Sequence, residues 1–294
     1  LPNVPLRAFA ASLNAPSRLV VEPIVRAALL EDVGHGNDLT TDAIVDAQLR
    51  ASGHIVARGG GVVAGLGAAS LAFTLLDGDV EIDARVADGE WVDGGAVLAT
   101  VRGRARALLT GERTALNFLG RLCGIATYTH RLVGLVAGTK ARIIDTRKTT
   151  PGLRVLEKYA VRCGGGVNHR FGLDDAVLVK DNHLAVAGSV KQAVEAVRRS
   201  VGHTVTVEVE VDTLEQLREA LDAGVDAVLL DNMSVDQLAV AVKTIGGRAI
   251  SEASGGVTLE TVAAIAATGV DLISSGAVTH SAPALDIALD WTLD

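Results

Sequence analysis

The sequence predicts an α/β protein: an N-terminal α+β, sandwich-like domain followed by an incomplete parallel α/β barrel. Three observations carry this. Residues 51–102 read as short alternating strands separated by glycine turns, as in VEIDARVADGEWVDGGAVLATVRG. After residue 141 the pattern becomes strand-length apolar segments with helical segments between them, the signature of a parallel sheet covered by helices. Each apolar segment ends in a charged or glycine-containing tail, and a βα barrel collects its functional residues at those strand ends. The domains are expected at 1–118 and 119–282, with 283–294 returning to the first.

Along the chain, residues 1–16 carry Pro2, Pro5 and Pro16 and read as a lead-in of little order. Residues 17–32 form a helix with Ile24, Val25, Ala28 and Leu29 in period, its first turn set near Glu22 by Pro23. Residues 31–44 are a glycine-bearing loop in which His35 is a loop residue rather than a ligand. GHIVARGGGVVAGL is strand, turn, strand, and residues 68–76 are helical. DGEWVDGGAVL resembles the hairpin of biotinyl and lipoyl carrier domains, but its turns lack a lysine to carry a cofactor, so a small structural β layer is expected.

Residues 105–136 are helical, in one or two helices interrupted near Gly120 and Gly124. Arg113 stands there among small and apolar residues, which suits either an ion pair or a site role. The strand-like segments that follow are ARIID, DAVLV, TVTVEVE, DAVLL, RAIS and DLISSG. Helices are expected at 189–200, 213–223, 235–245 and 259–268, with Thr213 and Ser234 as caps.

Bulk properties exclude several classes of function. Aromatic residues make up only 3%, which argues against stacking on single-stranded nucleic acid, and the net charge of −8 argues against nucleic acid in general. No apolar run reaches the roughly 20 residues of a membrane span. Cys123 and Cys163 form no CxxC pair and are expected as buried thiols. With no basic-then-apolar leader, a cytoplasmic location is expected.

Against this acidic background, residues 145–183 hold Arg147, Lys148, Arg154, Lys158, Arg162, Arg170 and Lys180, with His169 and His183. Such an island points to a small anionic ligand. Arg154, Lys158 and Arg162 recur every four residues and read as a solvated helix face. Arg147, Lys148, His169, Arg170 and Lys180 lie at strand ends or beside the Gly164–Gly166 run and remain for the ligand. Downstream tails add Glu208, Glu210, Asp231, Glu252, Ser254, Gly255, Gly256 and Gly276. Glu208 and Glu210 share one strand face, so two interior carboxylates are expected near Lys180. Glycines after the last barrel strands commonly bind phosphate. Glu210 and Asp231 suit ribose hydroxyls or a Mg²⁺ riding on a phosphate.

EDVGHGNDLTT, GERTALNFL, DTRKTTPGLRVLEKYAVRCGGGVNHR, KDNH, EVEVD, LLDN, SGG and GAVTH occur in this order from 31 to 280. Together they closely resemble quinolinate phosphoribosyltransferase, with one departure at Asn37, where that family usually has Gly. The resemblance implies transfer of phosphoribosyl from 5-phosphoribosyl 1-diphosphate to quinolinate, with decarboxylation to nicotinate mononucleotide. It implies quinolinate at Arg147, His169, Arg170 and Lys180, with Arg113 supplied by a neighbouring subunit of a homodimer or larger homo-oligomer. It implies 5-phosphoribosyl 1-diphosphate at Lys148, Glu210, Asp231, Ser254, Gly255, Gly256, Gly276 and His280, with Mg²⁺ as cofactor. Lys180, Glu210 and Asp231 are the expected catalytic groups. The rival is a related transferase for another pyridine or pyrrole acid, which CO₂ release from quinolinate would separate.

Overall fold

A computed structural model describes residues 13–293, so residues 1–12 of the expected lead-in lie outside the described part. The chain packs as two compact units, one built from Arg131–Lys148 and Gly166–Ala277, the other from residues 13–130, Thr149–Gly165 and 278–293. The chain therefore changes unit at 130/131, 148/149, 165/166 and 277/278, where the sequence reading set a single cut at 118/119 and a return at 283.

The unit holding the N-terminal half begins with α1 (Arg18–Val33) and α2 (Leu39–Ile44). Pro23 lies inside α1 rather than at its start, and Ser17 occupies the cap position without a side-chain hydrogen bond. Asp38 does cap α2, accepting from the Thr41 N–H at 3.0 Å. Strands β1 (Arg50–Ala57) and β2 (Gly61–Val62), helix α3 (Leu66–Thr74), and strands β3 (Glu81–Ala84), β4 (Trp91–Val92) and β5 (Val97–Arg104) follow. The 31-residue helix α4 (Ala105–Leu135) is continuous. Gly120 and Gly124 do not break it. A Cβ at Gly124 would sit 2.1 Å from the Pro283 carbonyl, and one at Gly120 would sit 3.1 Å from that of Leu285. These glycines admit the returning C-terminal segment, which backbone contact explains better than helix termination. That segment ends in the last strand of the fold, Ile287–Leu293, which pairs antiparallel with β1 at the edge of a four-stranded sheet.

Beyond α4 come β6 (Arg142–Ile144) and α5 (Arg154–Cys163). The solvated face expected on α5 is absent. Lys158 and Glu157 are fully buried, and Arg154 and Arg162 are partly covered. Periodic charge marks one helix face without saying whether solvent or protein lies against it.

The second unit is a six-stranded parallel sheet with helices in between. Its remaining elements are β7 (Val177–Val179), α6 (Asp181–Ala187), α7 (Val190–Ser200), β8 (Val207–Val211), α8 (Leu214–Asp222), β9 (Ala227–Asp231), α9 (Val235–Ile245), β10 (Ile250–Ser254), α10 (Val262–Ala267), β11 (Leu272–Ser274) and the start of α11 (Ala277–His280). Strand order is β6-β11-β10-β9-β8-β7. The described residues show no pairing of β6 with β7 and hence no closed barrel. Ile144 instead makes an isolated parallel bridge to Val167. Thr213 and Ser234 cap α8 and α9 through capping boxes with Gln216 and Gln237. The short α6 and α11 are too brief to leave a periodic signal. Among the described residues, no helix is long and apolar enough to cross a membrane.

Candidate active site

The parallel register decides which side chains meet. Ser254 is aligned with Asp231 on one side and with Ser274 on the other, and Ser274 is aligned with Ile144. The tails after these strands therefore open at one end of the sheet. Asp145 immediately follows β6 and is fully buried. Its carboxylate accepts from Asn168 Nδ2 at 2.6 Å and from the His169 N–H at 2.9 Å. A buried aspartate, the first letter of the DTRK block, thus fixes the NHR block some two dozen residues downstream.

His169 is held at both ring nitrogens. Nδ1 accepts from the Arg170 N–H at 2.6 Å, and Nε2 lies 3.1 Å from Glu208 and 3.6 Å from Glu252. The Nδ1 bond leaves Nε2 to donate to Glu208. Glu208 and Glu210 point to the same face, as expected, but serve different partners. Glu210 pairs with Lys180, while Glu208 turns to His169. The two carboxylates are therefore not a joint counter-ion for Lys180.

Glu252 is almost wholly buried, and its Oε1 has no hydrogen-bond partner. Burial, then the adjacent Glu208 charge, holds its carboxyl well above the usual carboxylate range. Two carboxylates this close in a low-dielectric interior favour keeping one proton. Arg170 shows the complementary condition. One Nη donates to the Ala176 carbonyl at 3.1 Å, while its Nε is buried and unpartnered. Burial and then the neighbouring Arg147 charge lower its pKa, against weaker help from Asp175 and Glu208. Two guanidiniums held near each other create demand for an anion. Arg147 and Lys148 are both exposed on the loop after β6.

The glycine tails are built for a close approach. Asn232 has φ +52°, and its N–H donates to the Ser254 carbonyl at 2.9 Å. Its Nδ2 donates to Asp231 at 2.6 Å. Gly255 has φ +94°, and a Cβ there would meet Asn232 Oδ1 at 2.1 Å, so only glycine fits. Gly256 also has a positive φ, at +63°. Gly276 follows Ser275, whose N–H donates to the Ile144 carbonyl at 3.0 Å.

Two expected site residues belong to the other unit. Arg113 is exposed on α4 and lines a cavity of about 450 Å³ with Asp32, Asn117 and Arg121. His280 ends α11, with Nδ1 2.6 Å from Ser281 Oγ. The sequence reading placed Glu208 and Glu252 among the strand-end groups, with Glu208 as an interior carboxylate near Lys180, and gave no role to Asp145. What it did not carry was the pairing of Glu208 with His169 and the deeper burial of Glu208 and Glu252 relative to Glu210.

Comparison with known proteins follows this geometry. Residues 38–123 match the profile described as quinolinate phosphoribosyl transferase, N-terminal domain, and residues 125–290 match the corresponding C-terminal domain. A nicotinate-nucleotide pyrophosphorylase [carboxylating] of Mycobacterium leprae is 49% identical over 274 residues, covering 90% of this chain and 95% of that protein. A probable enzyme of the same name from Bacillus subtilis is 46% identical over 277 residues, covering 94% and 95%. The crystal structure of NadC from Streptococcus pyogenes superposes with a TM-score of 0.91 at 41% identity, covering 95% of this chain and 99% of that one. The chain belongs to the quinolinate phosphoribosyltransferase family.

Proposed function

We infer that this chain transfers the phosphoribosyl group of 5-phosphoribosyl 1-diphosphate to the ring nitrogen of quinolinate, releasing diphosphate and CO₂ and forming nicotinate mononucleotide for NAD biosynthesis. The observation that carries the reading is Arg170. It is a half-buried arginine whose Nε is buried and unpartnered, beside Arg147. A dicarboxylate would give Arg170 the acceptor its Nε lacks and would lie beside Arg147, within reach of charge-assisted hydrogen bonds. Arg147, Arg170 and Lys180 are assigned to quinolinate. His169 lines that site with its ring, since its nitrogens are already engaged.

Lys148, Glu210, Asp231, Ser254, Gly255, Gly256, Gly276 and His280 are assigned to 5-phosphoribosyl 1-diphosphate. Backbone N–H groups in the glycine tails suit the 5-phosphate. Glu210 and Asp231, only partly covered, stabilise positive charge that develops on the ribose as the anomeric bond breaks. Lys180 is held by Glu210, so quinolinate and ribose are oriented by one ion pair. After ribosylation, the bond from C2 to its carboxylate breaks and releases CO₂, the adjacent pyridinium nitrogen stabilises the electron pair left on C2, and a proton taken up there from solvent completes nicotinate mononucleotide. The hard carboxylate oxygens of Glu210 and Asp231 fit Mg²⁺, and these residues would hold it. When bound, the ion supplies neutralisation of the diphosphate charge.

Arg113 is assigned to the site of a neighbouring subunit in a homodimer. Mixing Arg113→Ala with Lys180→Ala protein then restores part of the activity through hybrid dimers; proven subunit exchange without recovery rejects the sharing. The free, buried Cys123 and Cys163 support placement in a reducing cytoplasm. The deciding assay is CO₂ release from carboxyl-labelled quinolinate, dependent on 5-phosphoribosyl 1-diphosphate. Turnover of another pyridine or pyrrole acid, with none of quinolinate, overturns the reading.

A further inference from the structure

A second buried ion pair lies in the unit that contains α4, and the reaction as derived above makes no use of it. Glu157 on α5 is fully buried, yet both carboxylate oxygens are satisfied. Oε1 accepts from Arg121 Nε at 3.1 Å and Nη2 at 2.8 Å. Oε2 accepts from the backbone N–H of Thr150 at 3.0 Å. Arg121 Nη2 also donates to Thr150 Oγ1 at 3.3 Å and to the Thr279 carbonyl. One guanidinium on the long helix thus grips α5, the turn at Thr150 and the end of α11.

The gripped positions are telling. Thr150 lies two residues after Lys148 and three after Arg147, and Thr279 immediately precedes His280. Thr279 is thus the immediate backbone neighbour of one residue assigned above to 5-phosphoribosyl 1-diphosphate, and Thr150 stands two positions from another. A buried ion pair is a poor device for stability alone, because desolvation cancels much of its attraction and an apolar pair often does as well. What a guanidinium adds is direction. Its fixed fork of donors can hold several acceptors in one geometry, which neither Lys nor an apolar side chain can.

We propose that Arg121 and Glu157 are a positioning pair. They fix the Thr150 turn and the backbone at Thr279, and with them the chain that carries Lys148 and His280, the residues assigned to the phosphates of 5-phosphoribosyl 1-diphosphate. The proposal rests on the assignment of Lys148 and His280 given above.

Steady-state kinetics with both substrates varied provide the test, alongside thermal melts of the full-length enzyme. Arg121→Lys keeps a cation beside Glu157 but loses the fork. It should raise KM for 5-phosphoribosyl 1-diphosphate by about tenfold or more, since small misplacement of binding groups is costly. KM for quinolinate should change less. The double substitution Arg121→Met with Glu157→Leu replaces the pair by apolar groups and guards against simple unfolding. Its melting temperature should recover towards wild type while KM stays raised. If the double substitution restores both melting temperature and KM, or if Arg121→Lys leaves KM unchanged, the pair is structural and the proposal fails. Lys148→Ala and His280→Ala serve as the reference. Should they leave KM for 5-phosphoribosyl 1-diphosphate untouched, the site assignment itself falls; should they raise it while Arg121→Lys does not, only the positioning pair falls.

Discussion

Two buried ionic clusters among the described residues differ in how completely they satisfy themselves. Around Glu157, both carboxylate oxygens and the Arg121 fork are occupied by protein groups. Around His169, the partners run out: Glu252 Oε1 and Arg170 Nε are buried with nothing to bond. Buried polar groups are ordinarily paired, and each exception costs free energy. The satisfied cluster is a brace. On the assignment proposed above the unsatisfied one is the receptor, because a ligand that supplies an acceptor to Arg170 Nε offsets a cost that folding leaves in place. Incomplete satisfaction, rather than charge itself, separates the site from the scaffold.

The comparison breaks most visibly at Lys180. Lys180→Ala removes the cation that Glu210 holds at the mouth of the unsatisfied cluster. It should lower kcat/KM by about 10²–10³-fold, the scale of losing one preorganised electrostatic group. Turnover near wild type would return the Lys180–Glu210 pair to the class of scaffold ion pairs. Arg147→Ala comes next. Quinolinate affinity measured by calorimetric titration should weaken by about 2–5 kcal/mol, the cost of stripping one partner from a desolvated charge pair. An unchanged titration would mean that Arg170 meets its anion without Arg147.

How much of this was legible in the sequence depends on what burial decides. The alternation of apolar segments and helices, and the charged tails that close each strand, follow from local pattern, and the parallel sheet came with them. Thr213 and Ser234 were readable as caps because their chemistry is local. Lys158 was misread because a helical period of four fixes a face but not what packs on it. Gly120 and Gly124 were read as a helix interruption, although their cause is a segment that returns from more than 150 residues away. In the candidate site, Arg147, Lys180, Glu210 and Asp231 were readable as strand-end charges, and Arg170 from its place beside the Gly164–Gly166 run. Glu208 looked equivalent to Glu210, and only tertiary structure gave it to His169. Thr149–Gly165 packs with the unit that holds residues 13–130, a grouping that local pattern does not carry.

The smallest expected effect tests the strain in the unsatisfied cluster without touching catalysis. Glu252 has its carboxyl raised from an ordinary 4.5 by burial and by Glu208. Folding therefore favours its protonated form. The stability this group contributes is complete below about pH 4.5, its unfolded value, and is lost as pH rises through the folded value. Glu252→Gln reproduces the shape of the protonated acid at every pH. The variant and wild type should therefore melt together near pH 4.5, and the variant should become the more stable as pH rises from 5 to 9, by a few degrees. Groups common to both proteins cancel in the difference, which isolates Glu252. A gap that stays constant across the range would show that Glu252 titrates alike in folded and unfolded chains. In that case the proximity of Glu208 and the loss of solvent would not be felt as charge repulsion, and the contrast with the fully partnered Glu157 would rest on geometry alone.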